Sequence, residues 1–389
     1  MKISDFFKRQ ETKESRASRL LVMSQGQAVW SNRDYSAFAQ EAYIKNVVAY
    51  QAINKVSEAV AAIKWTTWRG DTEITENGLL DLLKQPNPSQ SGDEYIMAKI
   101  GYLLISGNAY EEKVMLGQEP KELYNLRPDR MKIYPSASGF PSSYCYEYNN
   151  KKVVWEVDPN TVTSDVYHTK LFNPTNDWYG LSPVEAGAFA VDQHNESMKW
   201  MQSLLQNSAR PSGALTTKDE STLSEENFNR LKAQIEDQYS GSNNAGRPML
   251  LEGGIGWQQM GLSPVDVGII ETKYSSARDV CLAFGVPPQL LGIPGDNTYS
   301  NYAEARLAFW EDTVIPLIHR VSKDWTKWLG PYFGDLEIKP DLDQVPAIVD
   351  KRMTLWQMAD QSVDLTINER RILKGYEPID GGEKLFVGA

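Results

Sequence analysis

The chain has 389 residues, 41% of them apolar, with a formal net charge of −11 and two cysteines. That length is ample for a sizeable core and sets two or three domains as the expectation. The acidic balance argues against a protein that clings to nucleic acid by counterion release, and Cys145 and Cys281 make neither a disulfide framework nor a metal-ligand spacing.

Two thiols of this kind fit a reduced setting. No apolar run approaches the roughly 20 residues that cross a bilayer, and residues 1–7 lack the apolar centre of a signal peptide. Residues 1–40 read as a flexible arm. Its first twenty residues hold six Lys or Arg against three Asp or Glu, the composition of a solvated tail or of a docking arm for a neighbour or for DNA.

An α+β unit follows over residues 41–180. Ile44, Val47, Val48, Ala52, Val56, Ala59 and Ile63 predict a helix over 43–63. Lys64 to Arg69 reads as a strand ended by Gly70-Asp71, Leu79 to Leu83 as a short helix stopped by Pro86-Asn87-Pro88, Ser91 to Ile105 as a helix and Ala109 to Met115 as a strand. Residues 121–172 are rich in strand signals, and Asn149-Asn150 marks a hairpin between two of them.

Gly180-Leu181-Ser182-Pro183-Val184 opens a helix that can run to Asn207, about 37 Å. Ala186, Gly187, Ala188 and Ala190 would let another helix approach closely. The same five residue types recur from Gly261 to Val265, where Ser263 can cap and Pro264 suits the first helical position. From there Val267, Ile270, Tyr274, Ala277, Cys281 and Phe284 form one helical stripe, ended by Gly285-Val286-Pro287-Pro288. Between the two helices sits a small α/β insert, with strands near 212–217, 249–251 and 257–260 and a helix whose apolar face is Phe228, Leu231, Ile235 and Tyr239. After the second helix a loop leads into a helix over 300–329, in which Pro316 removes one backbone bond and bends the axis. Leu336 to Lys339 is a short strand, Pro346 to Met358 is helical, and Thr366-Ile367-Asn368-Glu369 is a capping box.

Catalytic chemistry has little to stand on. The sequence holds neither a G-x-x-x-x-G-K-[ST] phosphate loop nor a G-x-S-x-G elbow. Gly253-Gly254-Ile255-Gly256 lacks dinucleotide spacing and reads as a turn. His168, His194 and His319 lie far apart and outside any H-E-x-x-H context, and the adjacent acids Asp93-Glu94 and Glu111-Glu112 do not share a helix face. The expectation is a protein without catalytic residues, cofactor or metal.

Short stretches stand in a particular order: Gly107-Asn108-Ala109-Tyr110, Leu126-Arg127-Pro128, residues 207–215, residues 245–254, residues 284–292, residues 299–305 and Leu365-Thr366-Ile367-Asn368-Glu369-Arg370. With them, most of the chain resembles the portal proteins of tailed bacteriophages, in the large family typical of long-tailed phages and found also in prophages and gene-transfer particles. The resemblance implies a ring-forming α+β fold. Its parts would be an arm (1–40), a wing (41–180), stem helices (181–208 and 263–285), a clip (209–262), a tunnel loop (286–300), a long wing helix with a return strand (301–345) and a short helical crown with its tail (346–389).

It also implies a ring of about twelve subunits at one capsid vertex, which forms the channel for packaging and ejection of double-stranded DNA. The implied partners are further copies of the chain, that DNA, the terminase large subunit, the head-completion or adaptor protein and the major capsid protein, with no membrane. The setting would be the virion, after assembly in the host cytoplasm. Twelve helices about 10 Å wide, side by side, leave a lumen of about 28 Å, enough for a duplex about 20 Å across. An acidic bore would repel phosphate and keep the duplex centred. The DNA-facing tunnel-loop group implied here is Asp296, Asn297, Thr298, Tyr299 and Ser300, with Tyr299 alternatively packing against a neighbour. Lys273 and Arg278 would line the channel or form intersubunit ion pairs. Val267, Ile270, Tyr274, Cys281 and Phe284 would pack the stem. Two other readings stay open: a non-catalytic α+β interaction module, or a nucleic-acid enzyme on a borrowed scaffold.

Overall fold

The computed structural model of the chain describes residues 34–136, 141–161, 163–206, 213–217, 226, 229–230, 255–259, 268–295 and 299–385. Helical structure starts at Tyr35, inside the stretch expected to be an arm, and passes through a π-helical stretch, Phe38–Ile44. Residues 1–33 of that arm lie outside the described residues. Helix α1 (Val47–Ala61) begins where the Asn46 side chain accepts from the backbone of Val48 and Ala49. It buries Ala49, Ala52, Ile53, Val56 and Val60, while Ile44 and Val47, placed on the apolar stripe by sequence, are exposed. The π-helical stretch before Asn46 puts Ile44 out of phase with α1, and Val47, the first residue of α1, lies off its buried face.

Helix α2 (Gly78–Lys84) is capped by Asn77, and α3 (Gly92–Ser106) by a complete Ser91–Glu94 capping box. Gly107 ends α3 at φ +75°, against the backbone of Gly180 and Leu181, where a Cβ would have no room. Strands β1 (Lys64–Arg69) and β2 (Thr72–Glu73) form a hairpin, and β11 (Glu337–Asp341) returns across the whole chain to pair antiparallel with β1, Lys64 opposite Asp341. A second sheet orders β4 (Glu119–Leu126), β3 (Asn108–Leu116) and β8 (Val166–Lys170); a third orders β5 (Met131–Pro135), β6 (Pro141–Tyr148) and β7 (Lys151–Glu156). Asn149 and Asn150 both take positive φ, 48° and 61°, as the two-residue hairpin between β6 and β7 requires.

The helix expected over 182–207 is two pieces, α4 (Pro183–Ala186) and α5 (Ala188–Gln206), broken at Gly187. Ser182 caps α4 through Val184 N, with Pro183 at the first position. Gly187 is the point of close approach: a Cβ there would lie 2.8 Å from the Ala283 Cβ of α6 (Ile269–Ala283). Of the insert, β9 (Gly213–Thr217) and β10 (Ile255–Gln259) pair antiparallel; the helix expected through Phe228, Leu231, Ile235 and Tyr239 lies outside the described residues.

The long helix expected over 300–329 is α7 (Tyr299–Ala308), a π-helical stretch (Phe309–Val314) and α8 (Ile315–Leu329) in succession. Pro316 falls at the start of α8, directly after the π register, so its missing N–H coincides with the change of hydrogen-bond pattern. α8 then packs beside the outer edge of β11 and bonds it at Ile338. Ile338 N donates to the Thr326 hydroxyl at 2.9 Å and Ile338 O accepts from Ser322 Oγ. The main core gathers α1, α3, the end of α6 and the inner face of α8, including Ile318, Val321, Trp325 and Leu329. Within it the Lys99 ammonium and the Glu111 carboxylate meet at 2.5 Å with neither side chain exposed. Tyr95 Oη and Trp325 Nε1 also donate to Glu111 Oε1, at 2.8 and 2.9 Å. A smaller core joins Tyr110, Leu126, Met131, Tyr144, Val157 and Val166. Helices α9 (Pro346–Gln361) and α10 (Ile367–Leu373) close the described chain, α10 with the Thr366–Glu369 capping box. Among the described residues no helix is long and apolar enough to cross a membrane.

Candidate functional site

The segment from α6 through the following loop to α7 is built so that one end of the loop is fixed. α6 starts after Gly268, in a left-handed conformation at φ +61°. Its buried side is Ile269, Ser276, Ala277, Val280 and Cys281, with Phe284 just beyond its end. Its exposed stripe is Glu271, Ser275, Arg278 and Leu282, spaced by four, three and four residues.

The stripe read from sequence therefore divides. Cys281 and Phe284 are buried, Tyr274 is half-buried, and Ile270 is 56% exposed, with Ile269 inside in its place. The phase is set by the run Ala277, Val280, Cys281 and Phe284, which faces α1 and α5 and leaves Ile270 off the buried face. Val267 lies outside the described residues.

Beyond α6 the backbone turns at Gly285, φ +64°, and Thr313 Oγ1 from the π stretch donates to Gly285 O at 2.6 Å. Val286 N returns to Cys281 O at 3.0 Å. Pro288–Leu291 forms one 3-10 turn that ends at Gly292, again left-handed. Ile293 then tucks back against Ala277 and Cys281 with 7% of its surface exposed, and Ile293 N donates to Pro288 O at 3.2 Å. Arg278 Nη2 donates to Pro294 O at 2.5 Å and lies over Gly295. So 284–295 is a folded base, held by Thr313 at its start and Arg278 at its end.

The basic residues singled out by sequence are both engaged. Arg278 holds the loop base; Lys273 is half-buried, its ammonium 5.9 Å from the Tyr274 ring centre. Asp296, Asn297 and Thr298 lie outside the described residues. Tyr299 and Ser300 open α7, so their backbone belongs to the helix and not to the loop. Burial pushes the Cys281 thiol up to about 12, which leaves it inert.

The partner helix is pinned by residues that no motif announced. Asn46 Nδ2 reaches Asn195 Oδ1 at 3.0 Å and His194 Nδ1 at 3.2 Å, and Asn195 Nδ2 donates to Glu41 O at 2.9 Å. This ties α5 to the start of α1. Burial, with the nearby Lys273 charge, lowers the His194 pKa, so the ring stays neutral and can accept from Asn46. The opposite side of α5 exposes Phe189, Gln193, Glu196 and Trp200 in one stripe. Two long helices thus lie together with apolar and charged stripes turned outward, and the loop after α6 leaves from a fixed base. Among the described residues, no group of three or more His, Cys, Asp or Glu is placed to hold a metal ion.

The model of the family described as phage portal protein matches residues 47–375. The chain is 40% identical over 349 residues to an uncharacterized protein of Rickettsia bellii (strain RML369-C), covering 89% of this chain and 90% of that one. It is 25% identical over 325 residues to the portal protein of Enterobacteria phage HK97, covering 79% and 72%. Its fold matches a chain in the neck of a native gene transfer agent particle computed with C12 symmetry, with a TM-score of 0.70, 42% identity and coverage of 94% and 100%.

Proposed function

The chain is a member of the phage portal protein family, and on that premise we propose that about twelve copies form a ring that conducts double-stranded DNA through one vertex of a phage-like or gene-transfer particle. The observation that carries this reading is the likeness to the C12-symmetric neck at 42% identity over 94% of the chain. The geometry supports it. In this reading α5 and α6 are the stem, residues 41–180 the wing, 209–262 the clip and 346–389 the crown. In the same reading Asp296, Asn297 and Thr298, which follow the loop base over 284–295, are the residues that meet the DNA.

The chemistry of such a tip suits passage and not capture. Short polar side chains touch phosphates without forming the multiple Lys or Arg contacts that make binding tight. Arg278, tied to Pro294 O, is a positioning residue for the tip. The exposed stripes of α5 and α6 become contacts between neighbouring copies. The terminase large subunit docks on the clip, a head-completion protein follows it, and the major capsid protein surrounds the ring. The chain supplies the conduit and no catalytic group.

Native mass spectrometry with negative-stain imaging of the purified chain tests the ring. A particle of about twelve times the 43.9 kDa subunit mass, with a central hole, is the expected result. A species that stays monomeric with the particle's capsid protein present contradicts it.

A further inference from the structure

We propose that neighbouring copies join head to tail through an acidic hairpin on one edge of the first sheet and a basic cleft along the other. The strand order is β11-β1-β2, so β2 and β11 face opposite ways in the plane of the sheet. Beside β11, a cleft of about 600 Å³ opens between that strand and α8. His319, Lys323 and Lys327 line it from the helix, and Lys339 from the strand, over an apolar floor of Ile338 and Pro340.

Lys323 and Lys327 sit four residues apart, about 6 Å along the helix, and like charges at that spacing repel. Among the described residues neither has a carboxylate within 4.0 Å; the acid in the cleft, Glu337, is turned to Lys339 at 3.4 Å. This is unusual in a chain with 51 acidic and 40 basic residues. Lys323 and Lys327 thus give the cleft positive charge that no carboxylate among the described residues meets within 4.0 Å.

The opposite edge carries the complement. The β1–β2 turn and the residues after it place Asp71, Glu73 and Glu76 within six positions, all exposed and, among the described residues, without an ion-pair partner. Asp71 stands in the turn and Glu73 ends β2 two residues on. Of the cations near this hairpin among the described residues, Arg69 donates to Gly334 O, and Lys339, its ammonium 4.9 Å from the Trp68 ring centre, is 3.4 Å from Glu337. One copy therefore carries negative charge at the β2 edge and a basic recess at the β11 edge of the same sheet. That is a heterologous contact, which generates a ring when the rotation between copies closes. The occupant of the cleft is a second copy of this chain. This contact rests on the ring reading and adds to it the surfaces that set polarity and order.

Two charge-reversed chains test it. Lys323→Glu with Lys327→Glu makes both edges negative; Asp71→Lys with Glu73→Lys makes both positive. Each alone should lose the ring species in native mass spectrometry at low salt. Mixed one to one, each negative cleft meets a positive hairpin and each positive cleft a negative hairpin, so rings should return with the two chains alternating and an even subunit number. A misfolded chain cannot be restored that way. Rings from either variant alone, or no rings from the mixture, overturn the contact while wild-type rings keep the ring reading intact. Wild-type chains that form no ring overturn both.

Discussion

The guanidinium of Arg278 donates to the carbonyl oxygen of Pro294 at 2.5 Å, bridging α6 and the loop that follows it. The bond is exposed and reversible, and it lies just before the loop residues proposed to meet DNA. It converts a basic side chain on the exposed stripe of α6 from a free phosphate contact into a clamp. Ile293, buried against Ala277 and Cys281, completes the grip on the loop base.

Arg278→Ala should loosen that base without unfolding the chain. A hydrogen bond from a charged donor contributes about 1.5–3 kcal/mol at most, and exposure lowers this one toward the bottom of that range. The readout is amide exchange at Ile293, whose N–H bonds Pro288 O. Exchange there should quicken by about tenfold, following the free energy of local opening, with the thermal midpoint nearly unmoved. Unchanged exchange at Ile293 would show that Arg278 does not hold the loop.

Cys281 is fully buried between α6 and Ile293, and burial pushes its thiol up to about 12. At pH 8 only about one thiol in ten thousand is ionised, so a disulfide reagent should label it only after unfolding. Cys281→Asp places an unpaired charge in the same pocket, which costs at least about 3 kcal/mol. That variant should lose the helix pair and, with it, ring assembly. Rapid labelling of native Cys281, or intact rings from Cys281→Asp, would contradict the packing described for α6.

Glu111 is the acceptor for Lys99, Tyr95 and Trp325 at once, and joins α3, β3 and α8 in the core. Removing it leaves a buried ammonium and two buried donors unmet. Glu111→Ala should therefore destabilise by about 3–5 kcal/mol in urea unfolding. Adding Lys99→Met to the same chain should recover part of that loss, because the orphaned charge is gone. A double variant less stable than Glu111→Ala would refute this account of the cluster.

His168 is stacked on Tyr110 at 4.2 Å with Nε2 3.0 Å from Asn108 Oδ1. Asn108 Nδ2 donates to Ser106 O, which fixes its oxygen toward the ring and places the imidazole proton on Nε2. Burial, then the Lys170 charge, drives the His168 pKa down from 6.5 to about 3. The unfolded chain binds a proton near pH 6.5 that the folded chain refuses until about pH 3. Stability is therefore full above pH 6.5 and falls as pH drops through that window, by roughly 1.4 kcal/mol per pH unit from this group. His168→Gln should flatten the dependence between pH 4 and 6, whatever its effect at pH 8. An unchanged slope would place the proton elsewhere.

Local chemistry was legible in the sequence, and long-range pairing was not. The Thr366–Glu369 capping box, the helix starts at Ser91 and Ser182-Pro183 and the Asn149-Asn150 hairpin each depend on neighbours a few residues away, and each stands as read. The two π-helical stretches leave no periodic signature and were missed. They explain why Ile44 lies outside the core and why Pro316 is tolerated. Lys64 opposite Asp341 and Asn46 against Asn195 span well over a hundred residues, beyond any local pattern. At the candidate site, Gly285-Val286-Pro287-Pro288 announced the turn, but nothing in the spacing told Ile269 from Ile270 or marked Arg278 as a clamp. Both depend on how α6 meets α1 and its own loop.

The most direct test of the conduit is an electron cryomicroscopy map of the assembled ring. The account predicts about twelve copies of α6 around a lumen of about 28 Å, with the tip after Gly295 projecting into it. A ring with α6 on its outer surface, or with a bore narrower than the roughly 20 Å of a DNA duplex, would contradict it.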